Sequence, residues 1–414
     1  MADRLTSAVA ARLRGLTNSW WFRVLALWAL TRLVAFLGFV WAANQQGPSP
    51  WSPSGNPDYF GFLDTWDSEW YRRIFEGGIG GDGGYPLVLP EFPDGAVKQN
   101  AWAFLPGYPI LMRMVSWLTG GSFEWRILAP TLSLLLSFVF AILLYRLLAL
   151  RLDQRTALWS VALVGLWCAS PVLQSGYAES LALVLLTGAL LSVLRRQYLW
   201  SIPWLAALSI TRPGMVAFAA ALGGLWLARH LRDRRGTELF ELGERVELAG
   251  VTVLSALLGL LWPLVAWLVT GRANAYEVTE LAWRVVDPDP HLVPFQGWLA
   301  LGYRLAGPLG APLLLAAVVI IAAWAVSTKA MAKLGTELRL WTGAYLAYLL
   351  VVLNAQSSTF RILLPAFPLL AAFAVFSVRW PRWAKVLLVL AMIGSQLLWL
   401  WVCWIYRYPD FTPP

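Results

Sequence analysis

The amino-acid sequence predicts an all-α, polytopic membrane protein that forms a single integral membrane domain over residues 1–414. Apolar residues make up 59% of the chain and charged residues only 13%, whereas a soluble domain is about 45–50% apolar and about 25% charged. Apolar runs recur along the whole length, and no strand-like alternation of apolar and polar residues is present. These observations exclude a large soluble domain.

The basic residues predict the orientation of the chain. A net charge of +9 would suggest nucleic-acid binding in a soluble protein, but here it indicates arginine-rich cytoplasmic loops, and no nucleic-acid partner is predicted. Arginines precede the apolar run 24–43, which predicts a cytoplasmic N-terminus and an uncleaved first span. Residues 44–125 then form an outer loop with short helices, 229–248 a cytoplasmic loop, and 271–297 a further outer loop.

About eleven transmembrane helices follow from the apolar runs and the positive-inside rule. Segment 101–118 contains two prolines, and a crossing there would place the basic segment 146–155 outside, so we expect a re-entrant or interfacial helix. The stretch 199–228 has arginines on both sides and should go out and back as two short helices, broken at residues 211–214. The remaining spans are predicted near residues 126–146, 157–174, 178–194, 249–270, 308–326, 339–354, 361–378 and 384–405.

Unusual polar residues fall at the outer ends of the predicted spans. An ionised side chain inside a membrane costs at least about 2.5–3.5 kcal/mol, so it is usually paired or functional. Structural interpretations stay open, because the aspartates could cap a helix that begins near Ser68 and the arginines could reach the interface. The polar residues in question are Asp64, Asp67, Glu179, Arg212, His291, Gln356 and Arg361.

The sequence contains no signature of a soluble enzyme or of a cofactor site. A Walker loop, a dinucleotide-binding glycine motif, HExxH and paired CxxC are all absent. The chain has only two histidines, and Cys168 and Cys403 lie in apolar stretches, so neither zinc nor a disulfide is predicted. We expect no cofactor, although Asp64 and Asp67 leave an acidic divalent-cation site open.

Five motifs, in order over most of the chain, resemble those of the GPI mannosyltransferase II (PIG-V type) family. They are FLDTWDSEWYRRIFEGG, NAWAFLPGYPIL, PVLQSGYAESLALVLL, LAALSITRPGMVAF and NAQSSTFRILLPAFPLL. The resemblance implies a GT-C glycosyltransferase fold, and the arginine- and alanine-rich composition favours a bacterial member of the family. GT-C enzymes take a sugar from a polyprenyl-phosphate donor on the non-cytoplasmic side and carry the catalytic acid in the first outer loop.

The resemblance implies an inverting, polyprenyl-phosphate-mannose-dependent mannosyltransferase that acts on a glycolipid or similar acceptor. Asp67 matches the aspartate of the family's Trp-Asp pair and is the predicted catalytic base. Arginines suit the donor phosphate, carboxylates and amides suit hydroxyl groups, and aromatic side chains suit sugar faces. The predicted substrate-binding residues are Asp64, Trp66, Trp70, Tyr71, Glu179, Arg212, Gln356, Arg361 and His291.

The predicted partners are the lipid-linked donor, a membrane-associated acceptor and membrane lipids. We expect a bacterial plasma membrane with an outward-facing site, or the endoplasmic reticulum with a lumenal site in a eukaryote. One alternative is a GT-C enzyme that uses another lipid-linked sugar, such as arabinose or glucose. The other is a transporter or flippase, whose polar residues should lie at the membrane midplane between repeats.

Overall fold

The computed structural model describes residues 19–284, 290–408 and 413–414. This part of the chain is helical, and its only extended pairing consists of three isolated bridges, so the prediction of an all-α protein is confirmed. The arginines that precede the first span, up to Arg14, and part of the predicted outer loop 271–297 lie outside the described residues.

The first half of the chain begins with a long apolar helix and returns to the bundle through a region of short helices. Short 3-10 turns at Ala101–Ala103, Ser170–Gln174 and Leu199–Ser201 connect its elements. Its helices are α1 (Trp20–Asn44), α2 (Tyr59–Leu63), α3 (Asp67–Gly77), α4 (Gly107–Leu118), α5 (Trp125–Leu148), α6 (Gln154–Gly165), α7 (Glu179–Leu194) and α8 (Ile202–Ser209).

The second half alternates long helices with broken ones. A 3-10 turn at Leu364–Ala366 and a π-helix at Leu400–Trp404 extend two of its elements. Its helices are α9 (Met215–Arg234), α10 (Leu242–Gly259), α11 (Leu261–Thr270), α12 (Ala275–Leu281), α13 (Gln296–Ser327), α14 (Lys329–Lys333), α15 (Thr336–Val352), α16 (Thr359–Ile362), α17 (Pro368–Ser377) and α18 (Arg382–Trp399).

The chain is an integral membrane protein. Within the described residues, five helical segments are long and apolar enough to cross a membrane by length and composition, and shorter apolar helices accompany them. A helix of 16 residues such as α7 is only about 24 Å long, which is shorter than the hydrocarbon core of a bilayer at about 30 Å. Helix length therefore does not show whether the shorter helices cross, and the number of about eleven spans stays a prediction. The five segments are Trp20–Asn44, Trp125–Leu148, Leu242–Thr270, Gln296–Ser327 and Arg382–Trp404.

The structure interrupts the predicted span 157–174. Helix α6 ends at Gly165, and the chain turns before Ser170 because the buried Arg32 of α1 occupies the gap. Its guanidinium donates to the carbonyl oxygens of Ser170 and Gly165 at 2.6 and 2.7 Å. A charged side chain therefore satisfies the backbone groups that the helix break leaves open.

The predicted break at 211–214 is confirmed, since α8 ends at Ser209 and α9 begins at Met215, but α9 has 20 residues and is not the predicted short helix. Helix α4 packs against this break. The Gly107 N–H donates to the Ile210 carbonyl oxygen at 2.6 Å, and a β-carbon at position 107 would lie 2.4 Å from Thr211 Oγ1. Only glycine permits this contact, which joins the predicted first outer loop to the break that carries Arg212.

Buried apolar side chains form two clusters. The larger one is the core of the helix bundle, and it includes large rings such as Trp28 and Phe140. The smaller one lies under the first predicted outer loop and joins it to α11, for example through Tyr85, Trp102 and Trp262, whose rings lie about 5 Å apart. The helix that begins at Asp67 therefore packs against a buried apolar cluster.

Candidate active site

Four charged side chains that are distant in sequence meet in one cluster, which we call the charged cluster: Asp67, Glu179, Arg212 and Arg361. Arg361 Nη1 lies 2.5 Å from Asp67 Oδ2 and 3.0 Å from Glu179 Oε1. Arg212 Nη1 lies 2.6 Å from the same Glu179 oxygen. The two carboxylates and two guanidinium groups balance one another, so charges that are costly in a membrane protein are paired.

Both carboxylates of the charged cluster stand at helix N-termini, where a negative charge is favoured. Asp67 is the first residue of α3, and Glu179 is the first residue of α7. The preceding residue, Trp66, has a φ of 58°, which turns the chain into α3. The Asp67 N–H donates to the hydroxyl of Tyr177 at 3.2 Å, so α3 is tied directly to the segment before α7.

Both arginines of the charged cluster stand where the helices are interrupted. Arg212 lies between α8 and α9, and Arg361 lies in α16, which has only four residues. The hydroxyl of Tyr345 on α15 donates to the Ile362 carbonyl oxygen at 2.7 Å and holds this short helix in place. The breaks bring long cationic side chains to the N-termini of α3 and α7.

The charged cluster is buried at its centre and open at its edges. Glu179 is 3% exposed and Arg361 8% exposed, whereas the side chains of Asp67 and Arg212 are 23% and 17% exposed. Among the described residues, the buried atoms Glu179 Oε2 and Arg361 Nε have no hydrogen-bond partner. A buried polar group without a partner costs about 1–3 kcal/mol, and more when charged, so these atoms are suited to hold a ligand.

Two tyrosines enclose the charged cluster. The Arg361 guanidinium lies 5.0 Å from the ring centre of Tyr177, within the range of a cation–π contact. Tyr71 is buried against the rings of Phe104 and Tyr108. Burial raises the pKa of Tyr71 and the Glu179 carboxylate raises it further, so this hydroxyl keeps its proton and can donate it in a hydrogen bond.

Asp64 lies beside the charged cluster and anchors α3. Its Oδ1 accepts a hydrogen bond from Ser68 Oγ at 3.1 Å, and its Oδ2 lies 3.6 Å from Arg72. Burial raises the pKa of Asp64, which Arg72 opposes. Neither Asp64 nor Asp67 is the N-cap of α3, because Trp66 occupies that position, so the capping interpretation does not hold.

Of the predicted aromatic residues, Trp66 is buried and Trp70 is partly exposed. Trp66 is 7% exposed, and its Nε1 donates to the Trp404 carbonyl oxygen at 3.2 Å, so it binds α3 to the C-terminal π-helix. Trp70 is half-buried, stacks on Phe104 with ring centres 5.6 Å apart, and meets Trp283 edge-on at 5.5 Å. Trp70 is therefore the better placed of the two to contact a sugar.

The last two predicted substrate-binding residues, Gln356 and His291, are exposed. Gln356 is exposed, and its amide donates to Ser358 Oγ at 3.1 Å within its own turn. His291 is exposed in the segment before α13. Their predicted contact with substrate stays a prediction.

Glu280 on α12 is a site residue that sequence reasoning missed. Burial raises its pKa, the nearby Arg284 opposes this, and the charges of Arg212 and Asp67 also act on it, so Glu280 lies within electrostatic range of the charged cluster. Helix α12 is held there by a hydrogen bond of 3.1 Å from Asn100 Nδ2 to Thr279 Oγ1. No sequence signal separates Glu280 from Glu277 of the same helix.

The charged cluster pairs acids with bases and does not concentrate acids. Among the described residues, no three side chains of the His, Cys, Asp and Glu types come together as a metal site would require. Cys168 and Cys403 are both free cysteines in the described part of the chain.

No family model matches the chain, and no curated protein matches it. Among solved structures, the chain is similar to the crystal structure of ArnT from Cupriavidus metallidurans in the apo state, with 16% sequence identity and a TM-score of 0.44. The similarity covers 89% of this chain and 63% of that chain, so this chain spans less than two thirds of the length of ArnT. A similarity of this size leaves the function to be inferred from the charged cluster.

Proposed function

We propose that the chain is a GT-C type glycosyltransferase that moves mannose from a polyprenyl-phosphate donor to a glycolipid or similar acceptor at the non-cytoplasmic membrane face. The observation that carries this proposal is the charged cluster, in which two arginines and two carboxylates from four separate elements meet. A phosphate-bearing donor and a hydroxyl acceptor need cations and a base side by side.

The two arginines are suited to hold the donor phosphate. Arg361 and Arg212 both contact Glu179 Oε1, at 3.0 and 2.6 Å, so their guanidinium groups are neighbours. Arg361 also keeps its Nε without a partner among the described residues. Guanidinium groups bind phosphate oxygens in pairs of hydrogen bonds, and in a poorly solvated site they stabilise the charge that develops on the leaving phosphate.

Asp67 is the proposed base, and its ion pair with Arg361 determines when its carboxylate is available. Arg361 Nη1 holds Asp67 Oδ2 at 2.5 Å, which occupies one oxygen of that carboxylate. A donor phosphate competes for the same guanidinium. Binding of the donor would therefore release Asp67 to accept the proton of the acceptor hydroxyl, and the base would become available only when the donor is in place.

The reaction is a single in-line displacement. The acceptor hydroxyl oxygen forms a bond to the anomeric carbon, and its proton passes to Asp67. The bond from the anomeric carbon to the phosphate oxygen breaks, and its electron pair leaves with polyprenyl phosphate. Phosphate is a good leaving group, so no general acid is needed, and a β-linked donor gives an α-linked product because the configuration inverts.

An apolar cavity beside Arg361 is suited to the polyprenyl chain. It has a volume of about 210 Å³ and lies between α13, α15 and α17. Thr359 and Leu363, which flank Arg361 on either side, form part of its wall, together with Trp298. A donor whose phosphate contacts Arg361 could therefore place the first part of its lipid tail in this cavity without leaving the apolar environment.

The test is transfer of labelled mannose from synthetic polyprenyl-phosphate-mannose to a membrane-lipid extract by the purified protein. Wild type should form product, and Asp67→Asn should form none although it folds. Asp82→Asn is the matched control, because Asp82 is an exposed acid of the same predicted outer loop, and it should keep full activity. Normal activity of Asp67→Asn would remove Asp67 from the mechanism, and transfer from arabinosyl or glucosyl donors alone would replace mannose.

A further inference from the structure

Two adjoining cavities lie far from the charged cluster and have no part in the proposed transfer. One has a volume of about 620 Å³ and the other about 370 Å³. They share Asp153, Arg155 and Val378 in their walls, so they form a single double-chambered site. We call it the basic double cavity.

The basic double cavity and the charged cluster lie at opposite ends of α5. At the first end, Trp125 Nε1 donates to Ser68 Oγ at 3.2 Å, next to Asp67. At the other end, α5 leads into the loop that carries Arg151, and Arg155 follows in the first turn of α6. Helix α5 has 24 residues and is therefore roughly 36 Å long, enough to cross the hydrocarbon core of a bilayer. The basic double cavity thus faces the opposite membrane surface, which the charge pattern predicts to be cytoplasmic.

The basic double cavity carries positive charge that the protein does not neutralise. Among the described residues, four cations of its wall have no carboxylate within 4.0 Å; they are Arg155, Lys333, Arg379 and Lys385. Its one carboxylate, Asp153, is already engaged, since its two oxygens accept from the Thr156 N–H at 3.0 Å and the Thr156 hydroxyl at 2.6 Å.

Two arginines beside the loop between α9 and α10, on the same predicted side, are paired with carboxylates, unlike the four cations of the basic double cavity. Arg229, near the end of α9, pairs with Glu238 at 2.9 Å and with Glu244 of α10 at 2.7 Å. Arg245 in turn pairs with Asp233 at 2.5 Å. Orientation by the positive-inside rule requires basic residues, but it does not require that they line a cavity without counter-charges.

The two chambers are lined by residues of different polarity. The smaller chamber is lined by charged and polar groups, including Arg151, Lys333 and Arg379. The larger chamber adds an apolar wall from α1 and α6, formed by Leu27, Leu158, Trp159 and Ala162. A ligand that fits both must have an anionic head and an apolar body.

We propose that the basic double cavity binds an anionic phospholipid of the membrane leaflet it faces. The phosphate lies between Arg155 and Arg379, and the glycerol backbone and first acyl carbons lie against Leu158 and Trp159. Basic pockets between membrane helices on the cytoplasmic side attract anionic headgroups, and each nearby cation adds to the affinity. The site is independent of the proposed transfer reaction.

The experiment measures lipid binding to the purified full chain in detergent, with phosphatidylglycerol and phosphatidylcholine as probes. Wild type should prefer phosphatidylglycerol, and the double variant Arg155→Gln/Arg379→Gln should bind it about 30-fold more weakly. The matched control is Arg234→Gln/Arg235→Gln, which removes two exposed charges on the same predicted side and should bind normally. Equal affinity of wild type for the two lipids, or equal losses in the two variants, would overturn the proposal.

A second measurement needs only the wild-type chain. Phosphatidylglycerol with a photoactivatable acyl chain is crosslinked to the protein, and the labelled peptides are mapped. Label in residues 151–162 and 378–385 supports the site. Label confined to other segments refutes it, whether or not the double variant folds.

Discussion

Replacing Glu179 with glutamine tests whether one carboxylate holds the charged cluster together. Glu179 Oε1 accepts hydrogen bonds from Arg361 Nη1 at 3.0 Å and from Arg212 Nη1 at 2.6 Å, and the side chain is 3% exposed. Glutamine keeps the shape of the side chain and removes its charge. Two neighbouring guanidinium groups then lose their shared counter-charge.

The expected cost follows from burial and from the partners that remain. Removal of one partner from a buried ion pair costs about 3–5 kcal/mol, because the other charge stays out of water. Arg361 still has Asp67 at 2.5 Å after the substitution, whereas Arg212 has no second carboxylate within 4.0 Å among the described residues. We therefore expect Glu179→Gln to lower the free energy of unfolding by about 3 kcal/mol, near the lower end of that range.

The assay is reversible unfolding of the purified protein in detergent, with Glu91→Gln as the matched control. Glu91 pairs with Arg272 at 2.9 Å, but its side chain is 45% exposed, and exposed pairs contribute about 0–1 kcal/mol. The control should therefore be nearly neutral. If Glu179→Gln destabilises the protein no more than Glu91→Gln does, the charged cluster is not held by this carboxylate and the reasoning fails.

Three more substitutions test the proposed phosphate contact, the packing of the predicted first outer loop and the burial of Glu280. Arg361→Lys should lower kcat/KM about 100-fold because lysine cannot form paired hydrogen bonds to phosphate, whereas Arg126→Lys, at an exposed pair, should leave it unchanged. Gly107→Ala would place a β-carbon 2.4 Å from a side-chain oxygen and should cost about 1–3 kcal/mol of stability in the same unfolding assay. Its control is Gly250→Ala in α10, where a β-carbon would meet nothing within 4 Å, and this variant should be more stable by up to about 1 kcal/mol. Burial raises the pKa of Glu280, so its charge destabilises the fold above that pKa and the penalty disappears as the pH falls through it. The Tm of Glu280→Gln relative to wild type should accordingly be highest at neutral pH and fall on acidification, and a pH-independent difference would contradict the burial of this charge.

The sequence by itself determined the class of the protein and the short list of site candidates. Long apolar runs can be buried only in a bilayer or a very large core, so composition sufficed for an integral membrane protein. Proline and glycine at positions 213 and 214 interrupt any helix, so the break between α8 and α9 was predictable. Ionised side chains in apolar surroundings are costly, and that cost pointed to Asp67, Glu179 and Arg361 before any contact was known.

Only the tertiary structure decided which of these side chains meet and what each one does. Asp67 and Arg361 are 294 residues apart, and their side chains meet only because the assembled bundle brings the start of α3 close to α16. The same assembly leaves Gln356 exposed, makes Trp66 an anchor, and brings Glu280 within electrostatic range of the charged cluster. The sequence shows that a residue is acidic or aromatic. The partner that determines its role lies on another helix, and the two side chains come into contact only when the bundle is assembled.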